Sequence, residues 1–143
     1  VLKAVAGRLE DEDPSVRVKA VKELRTQSTL PDEILKAVAG RLDDGDWFVR
    51  DAAVEALGEQ SPLPNDILKA VVGRLEDKYK SVQNATVRVL GKQSRLPDDV
   101  LKAVAGQLEN EDRSVRAAAV EVLGKQSLLL DDILKAVVER LED

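Results

Sequence analysis

The side chains that run most enzymes are missing from this chain. Its 143 residues include no His and no Cys, which excludes Ser-His and Cys-His nucleophiles, a disulfide framework and any Cys/His zinc or haem site. A Gln-Ser pair recurs at Gln27, Gln60, Gln93 and Gln126. A catalytic serine would need a base that the chain does not offer, so these pairs are assigned to satisfying backbone groups in linkers. Carboxylate pairs such as Asp43-Asp44 and Asp131-Asp132 have the chemistry to attract a divalent ion, but charge at helix ends accounts for them more simply. The sequence therefore reads as non-enzymatic, with no catalytic residue, no cofactor and no metal. The chemistry left is recognition chemistry. The only aromatic residues are Trp47, Phe48 and Tyr79, and Trp and Tyr are favoured at the energetic centres of interfaces.

The elements that must position these residues follow from a repeat. The phrase V/I-L-K-A-V begins at Val1, Ile34, Ile67, Val100 and Ile133, giving units 1–33, 34–66, 67–99 and 100–132 and a partial unit 133–143. Slots 1, 2, 5, 6 and 9 of each unit are apolar, the stripe of an amphipathic helix. This first helix is expected over roughly slots 32 to 10. Pro31, Pro64 and Pro97, each followed by Asp or Asn able to cap a first turn, mark its start, and Leu130 replaces the proline in the fourth linker. Slots 16, 20, 21, 23 and 24 carry a second stripe, as in Val49, Ala53, Val54, Ala56 and Leu57, so a second helix is expected over slots 14 to 24. Asp13-Pro14 supplies a cap and a first-turn proline; Gly58, Gly91 and Gly124 are expected to close the helix in a left-handed conformation. Two or three residues between the helices force an antiparallel hairpin.

A lone hairpin buries too little apolar surface to offset an ordering entropy of about 1–2 kcal/mol per residue, so the hairpins must stack. The expected fold is all-α: a single domain, residues 1–143, forming a right-handed α-solenoid of nine helices. With 43% hydrophobic and 2% aromatic residues its core must be aliphatic. No apolar run approaches the roughly 20 residues of a membrane helix, and no signal peptide opens the chain. Zero Cys fits a cytoplasmic location.

A period of 33 is also that of ankyrin units, but no unit holds a T-P-L-H-x-A start. The run D-x-D-x-S-V-R-x-x-A-V-x-x-L-G instead, read from Asp11 to Arg25 with Arg25 replacing the glycine, from Asp44 to Gly58 and from Asn110 to Gly124, resembles the short HEAT-like repeat across all four complete units. That resemblance implies that the V-R helices line a concave face and that Asp and Arg of successive units form a ladder, with Arg17, Arg50 and Arg116 as members and Gln83 as a break. The near-identity of the units and the wording L-P-x-E/D-I-L-K-A-V are similar to HEAT repeats at the sensor end of some fungal NLR-like receptors. Iron-binding HEAT-like enzymes use His-Glu pairs, which this chain lacks.

Units this alike make their differences informative. Slots 14, 15, 18, 19 and 22 fall on the polar side of the second helix. Slot 22 alternates Lys22, Glu55, Arg88, Glu121, a charge ladder or a freely varying surface. Slots 12–15, 18, 19 and 22 carry Asp46, Asp51 and Glu55 in the second unit and Lys78, Lys80 and Arg88 in the third. An acidic aromatic patch thus accompanies a basic one bearing Tyr79. Such a surface suits a protein or peptide partner, not a nucleic acid, whose phosphates half of it would repel. The expected partner-binding residues are Trp47, Phe48, Asp51, Tyr79, Lys80 and Asn84, with Phe48 either outward or folded in as a staple over the turn. An architectural or engineered scaffold without a ligand is the alternative. The apolar stripes of the first and last helices are expected to lie half exposed and to favour end-to-end self-association. Four glycines in the first helices, Gly7, Gly40, Gly73 and Gly106, have no physical account at this level.

Overall fold

The computed structural model describes residues 2–60, 62–93, 95–126 and 131–141, with the side chains of 131 and 132 left aside. Val1, the Leu130 replacement and the Asp131-Asp132 side chains lie outside the described residues. Among those described, every regular element is helical: α1 (Leu2–Gly7), α2 (Pro14–Arg25), α3 (Asp32–Gly40), α4 (Trp47–Gly58), α5 (Asn65–Val72), α6 (Lys80–Lys92), α7 (Asp98–Gly106), α8 (Arg113–Gly124) and α9 (Asp131–Leu141). The even-numbered helices from α2 to α8 start at slot 14 of their units, as the pattern requires.

The first helices differ from expectation in one respect. After α1, α3, α5 and α7 the chain tightens into a 3-10 turn, at Arg8–Glu10, Arg41–Asp43, Gly73–Glu76 and Gln107–Glu109. The mid-helix glycines sit at this change of pitch. Gly7, Gly40 and Gly106 keep ordinary right-handed angles, φ −61°, −62° and −60°, and a Cβ on any of the four would meet nothing within 4 Å. Neither backbone strain nor close packing demands glycine there.

Helix ends bring two further corrections. Gly58 and Gly124 are the last residues of α4 and α8, and the caps after them, Glu59 (φ −84°) and Lys125 (φ −90°), are right-handed. Gly91 lies inside α6, where a Cβ would come within 2.7 Å of the Lys125 side chain; these glycines therefore do not close helices in a left-handed conformation. At the other end, the residue capping α3 is Pro31 itself, whose carbonyl accepts Leu35 N–H at 2.9 Å without side-chain help. Asp66 and Asp99 do take up a first-turn amide, from Ile67 and Val100, each at 3.0 Å.

Cα packing divides the chain into two compact units, Val1–Ala70 and Val71–Asp143. In the first, hairpins α1/α2 and α3/α4 stack so that α2 lies on α4 and α1 on α3; in the second, α6 lies on α8 and α7 on α9. The core is aliphatic. Leu9, Leu42, Leu75 and Leu108 from the 3-10 turns, and Leu24, Leu57, Leu90 and Leu123 from the second helices, are all at most 1% exposed. Slot 19 departs from the predicted polar face: Lys19 is exposed, but Ala52, Ala85 and Ala118 are buried. Alanine there is small enough for neighbouring second helices to approach closely.

Candidate functional site

The turn inside each hairpin aims the start of the second helix, and one slot builds it. Asp11, Asp44, Asp77 and Asn110 each accept, through Oδ1, the backbone N–H two residues on, at 2.8–2.9 Å. Any side-chain amide or carboxylate oxygen serves for this Asx turn. The slot-17 arginine closes the turn from the helix side: Arg17 Nη1 donates to the carbonyls of Asp11 and Glu12 (2.6 and 3.1 Å), Arg50 Nη1 to that of Asp44 (2.8 Å), and Arg116 Nη1 to those of Asn110 and Glu111 (2.8 and 3.0 Å).

In the first compact unit the same slots join successive repeats. Arg17 Nε and Nη2 meet Asp44 Oδ2 and Oδ1 at 2.9 and 3.0 Å, a bidentate pair whose side chains are 15% and 3% exposed. Arg41 approaches Asp44 from its own turn at 3.3 Å. Burial pushes the Asp44 carboxyl up, but the Arg17 bond, the Asp46 amide and the two guanidinium charges outweigh it and hold it below the usual carboxylate range; Asp44 in turn raises Arg17. The ladder implied by the sequence is thus present at Arg17. Its break at Gln83 has a counterpart that sequence reading missed. Gln83 Nε2 donates to the Leu75 carbonyl (2.9 Å) and lies 3.4 Å from Ser114 Oγ, while the acceptor slot of the next repeat holds Asn110 instead of Asp. Asn110 keeps the Asx turn, drops the charge and bonds Glu76 at 3.0 Å. The signal was available, since slot 11 reads Asp, Asp, Asp, Asn.

Two of the four linker glutamines, Gln60 and Gln126, satisfy backbone groups as assigned, whereas Gln27 donates to the Thr26 hydroxyl at 3.4 Å. Gln60 Oε1 accepts Leu30 N–H (3.0 Å) and its Nε2 donates to the Gln27 carbonyl (3.2 Å); Gln126 does the same for Leu96 and Gln93, at 2.9 and 3.5 Å. Ser61, Ser94 and Ser127 lie outside the described residues.

On this frame the aromatic residues stand at the helix starts. Asp46 Oδ1 caps α4 by accepting Phe48 and Val49 N–H at 2.8 and 3.4 Å. The Trp47 and Phe48 rings stack with centroids 4.5 Å apart and planes 29° apart, and Phe48 is 51% exposed. Phe48 is therefore not an inward staple. Together with Asp13, Pro14, Ser15, Val18 and Asp46 the two rings line an open cleft of about 460 Å³. Asp46 belongs to the acidic patch read from the sequence, whereas Asp13 as a wall of this cleft was not foreseen. On the other side of Phe48, a smaller cleft is shared with Asp51 and with Lys22, Arg25 and Glu55. Glu55 meets Arg25 at 3.8 Å, and Arg25 also reaches Glu59 at 3.4 Å, so the slot-22 residue Glu55 is met from the preceding repeat by slot 25.

In the second compact unit Tyr79 occupies the capping position of α6 and makes no side-chain cap, where Asp13, Asp46 and Asp112 cap their helices. Tyr79 is 41% exposed and Lys78 Nζ stands 5.8 Å from its ring centre. Lys80 and Asn84 are exposed on the first turns of α6. The structure thus groups Trp47, Phe48 and Asp51 in one unit and Tyr79, Lys80 and Asn84 in the other. Among the described residues, no cluster of three or more Asp or Glu could hold a metal ion, and no helix is long and apolar enough to cross a membrane.

The hairpin period and the D…V-R turn agree with a sequence-family match: the family model for HEAT repeats matches residues 2–79, more than half of the chain. The chain belongs to the HEAT repeat family. No curated protein sequence matches significantly. Among solved structures this HEAT protein is similar to an engineered protein (TM-score 0.65, 19% identity, 97% of this chain and 67% of that one). It is also similar to a designed armadillo repeat protein in complex with the peptide (KR)4, with TM-score 0.64, 14% identity and 97% and 70% covered. A further likeness is to the CpcE–CpcF complex of phycocyanin lyase from Nostoc sp., with TM-score 0.58, 17% identity and 99% and 86% covered. These likenesses establish the fold of the HEAT chain, an all-helical repeat solenoid.

Proposed function

We propose that this HEAT protein is a non-enzymatic recognition module that binds a protein or peptide through the variable starts of its second helices. The observation that carries the reading is Tyr79: an exposed aromatic stands where three sister repeats place a stabilising Asp cap. A cap is worth about 1 kcal/mol, so the substitution trades stability for an exposed ring, which makes sense when the ring contacts a partner. Trp47 and the half-exposed Phe48, with Asp51, form the corresponding surface of the first unit, and Lys80 and Asn84 extend that of the second. The structurally similar designed armadillo repeat protein, solved in complex with the peptide (KR)4, supports the same use of a helical-repeat surface. The chain's opposed acidic and basic patches favour such a partner over nucleic acid. Within this reading the chain serves in the cytoplasm as the sensor region of an NLR-like receptor, which the near-identity of its repeats supports.

The test is selection from a displayed peptide library, followed by calorimetry with the Trp47→Ala/Tyr79→Ala double variant. Loss of binding by a factor of ten or more supports the reading. Unchanged affinity for every selected sequence would leave it without foundation and favour a scaffold role.

A further inference from the structure

The cleft of the first compact unit is more specific than a generic apolar patch. Its walls are Pro14, Val18 and the Trp47 and Phe48 rings, and its only charged lining residues are Asp13 and Asp46. Both carboxylates spend the same oxygen on capping. Asp13 Oδ1 takes the Ser15 N–H and Oγ–H at 2.9 and 2.8 Å; Asp46 Oδ1 takes the Phe48 and Val49 amides. The Ser15 bonds hold the Asp13 carboxyl below its usual range. Among the described residues none hydrogen-bonds to Oδ2 of either carboxylate. Arg17, which interacts electrostatically with both Asp13 and Asp46, is already committed bidentately to Asp44. Two acceptor oxygens from successive repeats therefore flank a pair of aromatic faces, without a positive charge in the lining.

We propose that this cleft is an arginine site, taking the guanidinium of a basic peptide segment between the Asp13 and Asp46 carboxylates and against the exposed Phe48 ring. The inference rests on the recognition reading above and names the chemistry of the partner. A guanidinium suits the site better than an ammonium, because its planar fork can give N–H groups to two separated carboxylates while its face lies on an aromatic ring. The apolar walls fit aliphatic residues flanking the arginine.

Trp47 is the sole tryptophan, so its fluorescence reads the cleft directly. The probe is acetyl-Gly-Leu-Arg-Leu-Gly-amide, with counterparts carrying Lys, citrulline or Glu at the central position, titrated into the full chain. The expected result is a saturable shift of Trp47 emission with the Arg peptide, weakened by added salt, and affinity about tenfold or more lower for citrulline and Glu and intermediate for Lys. Asp13→Asn with Asp46→Asn keeps both caps, since Asn caps as well as Asp, and should weaken the Arg peptide about tenfold with unchanged circular dichroism. Equal binding of the Lys, citrulline or Glu peptide, salt-insensitive binding, or no saturable shift would overturn the assignment. Its failure is separable from that of the recognition reading: library-selected peptides that need Trp47 but contain no arginine would sink the arginine site and leave the broader reading intact.

Discussion

The Arg17–Asp44 pair should behave as a coupled unit, and the neutral pairing seen at Gln83 and Asn110 supplies its control. Replacing Arg17 by Gln leaves Asp44, 3% exposed, with only Arg41 at 3.3 Å and the Asp46 amide. Removing one partner of a buried pair costs about 3–5 kcal/mol; the surviving contacts reduce this to about 2–3 kcal/mol. Asp44→Asn preserves the Asx turn, as Asn110 does at 2.8 Å, and strands an arginine that is 15% exposed and still holds two carbonyls. Its cost should be about 1–2 kcal/mol. The double variant recreates the Gln/Asn arrangement, in which no buried charge is left alone, and should cost about what Asp44→Asn costs by itself. The coupling energy is then about 2–3 kcal/mol, well above the roughly 0.5 kcal/mol within which independent sites add. Urea unfolding followed by circular dichroism and by Trp47 fluorescence measures it. The folded-state pKa of Asp44 is depressed, so the pair's contribution is complete above the unfolded carboxylate value near pH 4 and is lost as pH falls through the folded value. The advantage of the native chain over the double variant should therefore shrink on acidification below about pH 4. Additive single costs, or an advantage that grows in acid, would refute the reasoning.

Gly40→Ala with Gly106→Ala should raise stability by about 1–2 kcal/mol in total, since both positions are right-handed and open to a Cβ; a lowered melting temperature in a thermal scan would show that the pitch change needs glycine. Tyr79→Asp should restore the missing cap of α6 and stabilise by about 1 kcal/mol in denaturant titration, while weakening any peptide selected through that unit; loss of stability would undercut the argument that Tyr79 is held against a structural cost. Leu134, Val138 and Leu141 of α9 are 48%, 47% and 70% exposed, so the chain should self-associate at high concentration. Light scattering checks this, and Leu134→Glu with Val138→Glu should abolish it.

Periodicity made most of the fold legible. A stripe that recurs at 33 residues is read several times over, so the starts of α3, α5, α7 and α9 and of every second helix fell where slots 32 and 14 put them. What failed depended on backbone detail below the resolution of a hydrophobic pattern. The tightening into 3-10 turns after Gly7, Gly40 and Gly106 changes no side-chain period. A glycine at a helix end signals a left-handed cap only when the backbone there takes a positive φ, and the capping residues Glu59 and Lys125 are right-handed. Slot 19 was misread because a helical wheel knows two faces, whereas a stacked hairpin also needs a third, narrow one, where Ala52, Ala85 and Ala118 let the neighbour in. The aromatic cluster was located by composition, but Asp13 was read only as a cap and Asp46 only as one charge of the acidic patch. A carboxylate has two oxygens, and only coordinates show which one the cap leaves over.

The slot-11 and slot-17 residues give each repeat a leading and a trailing edge, and the two edges need not match. Repeat three leads with the carboxylate of Asp77 and trails with the amide of Gln83; repeat four leads with the amide of Asn110 and trails with the guanidinium of Arg116. The repeats are therefore not interchangeable links, despite their likeness. Excising residues 67–99 would set Arg50 before Asn110, a cation facing an amide, whereas excising 34–66 would set Arg17 before Asp77, a matched edge. An array that grows and shrinks by recombination between near-identical repeats would carry in these two slots a filter on which shortened or shuffled products can fold.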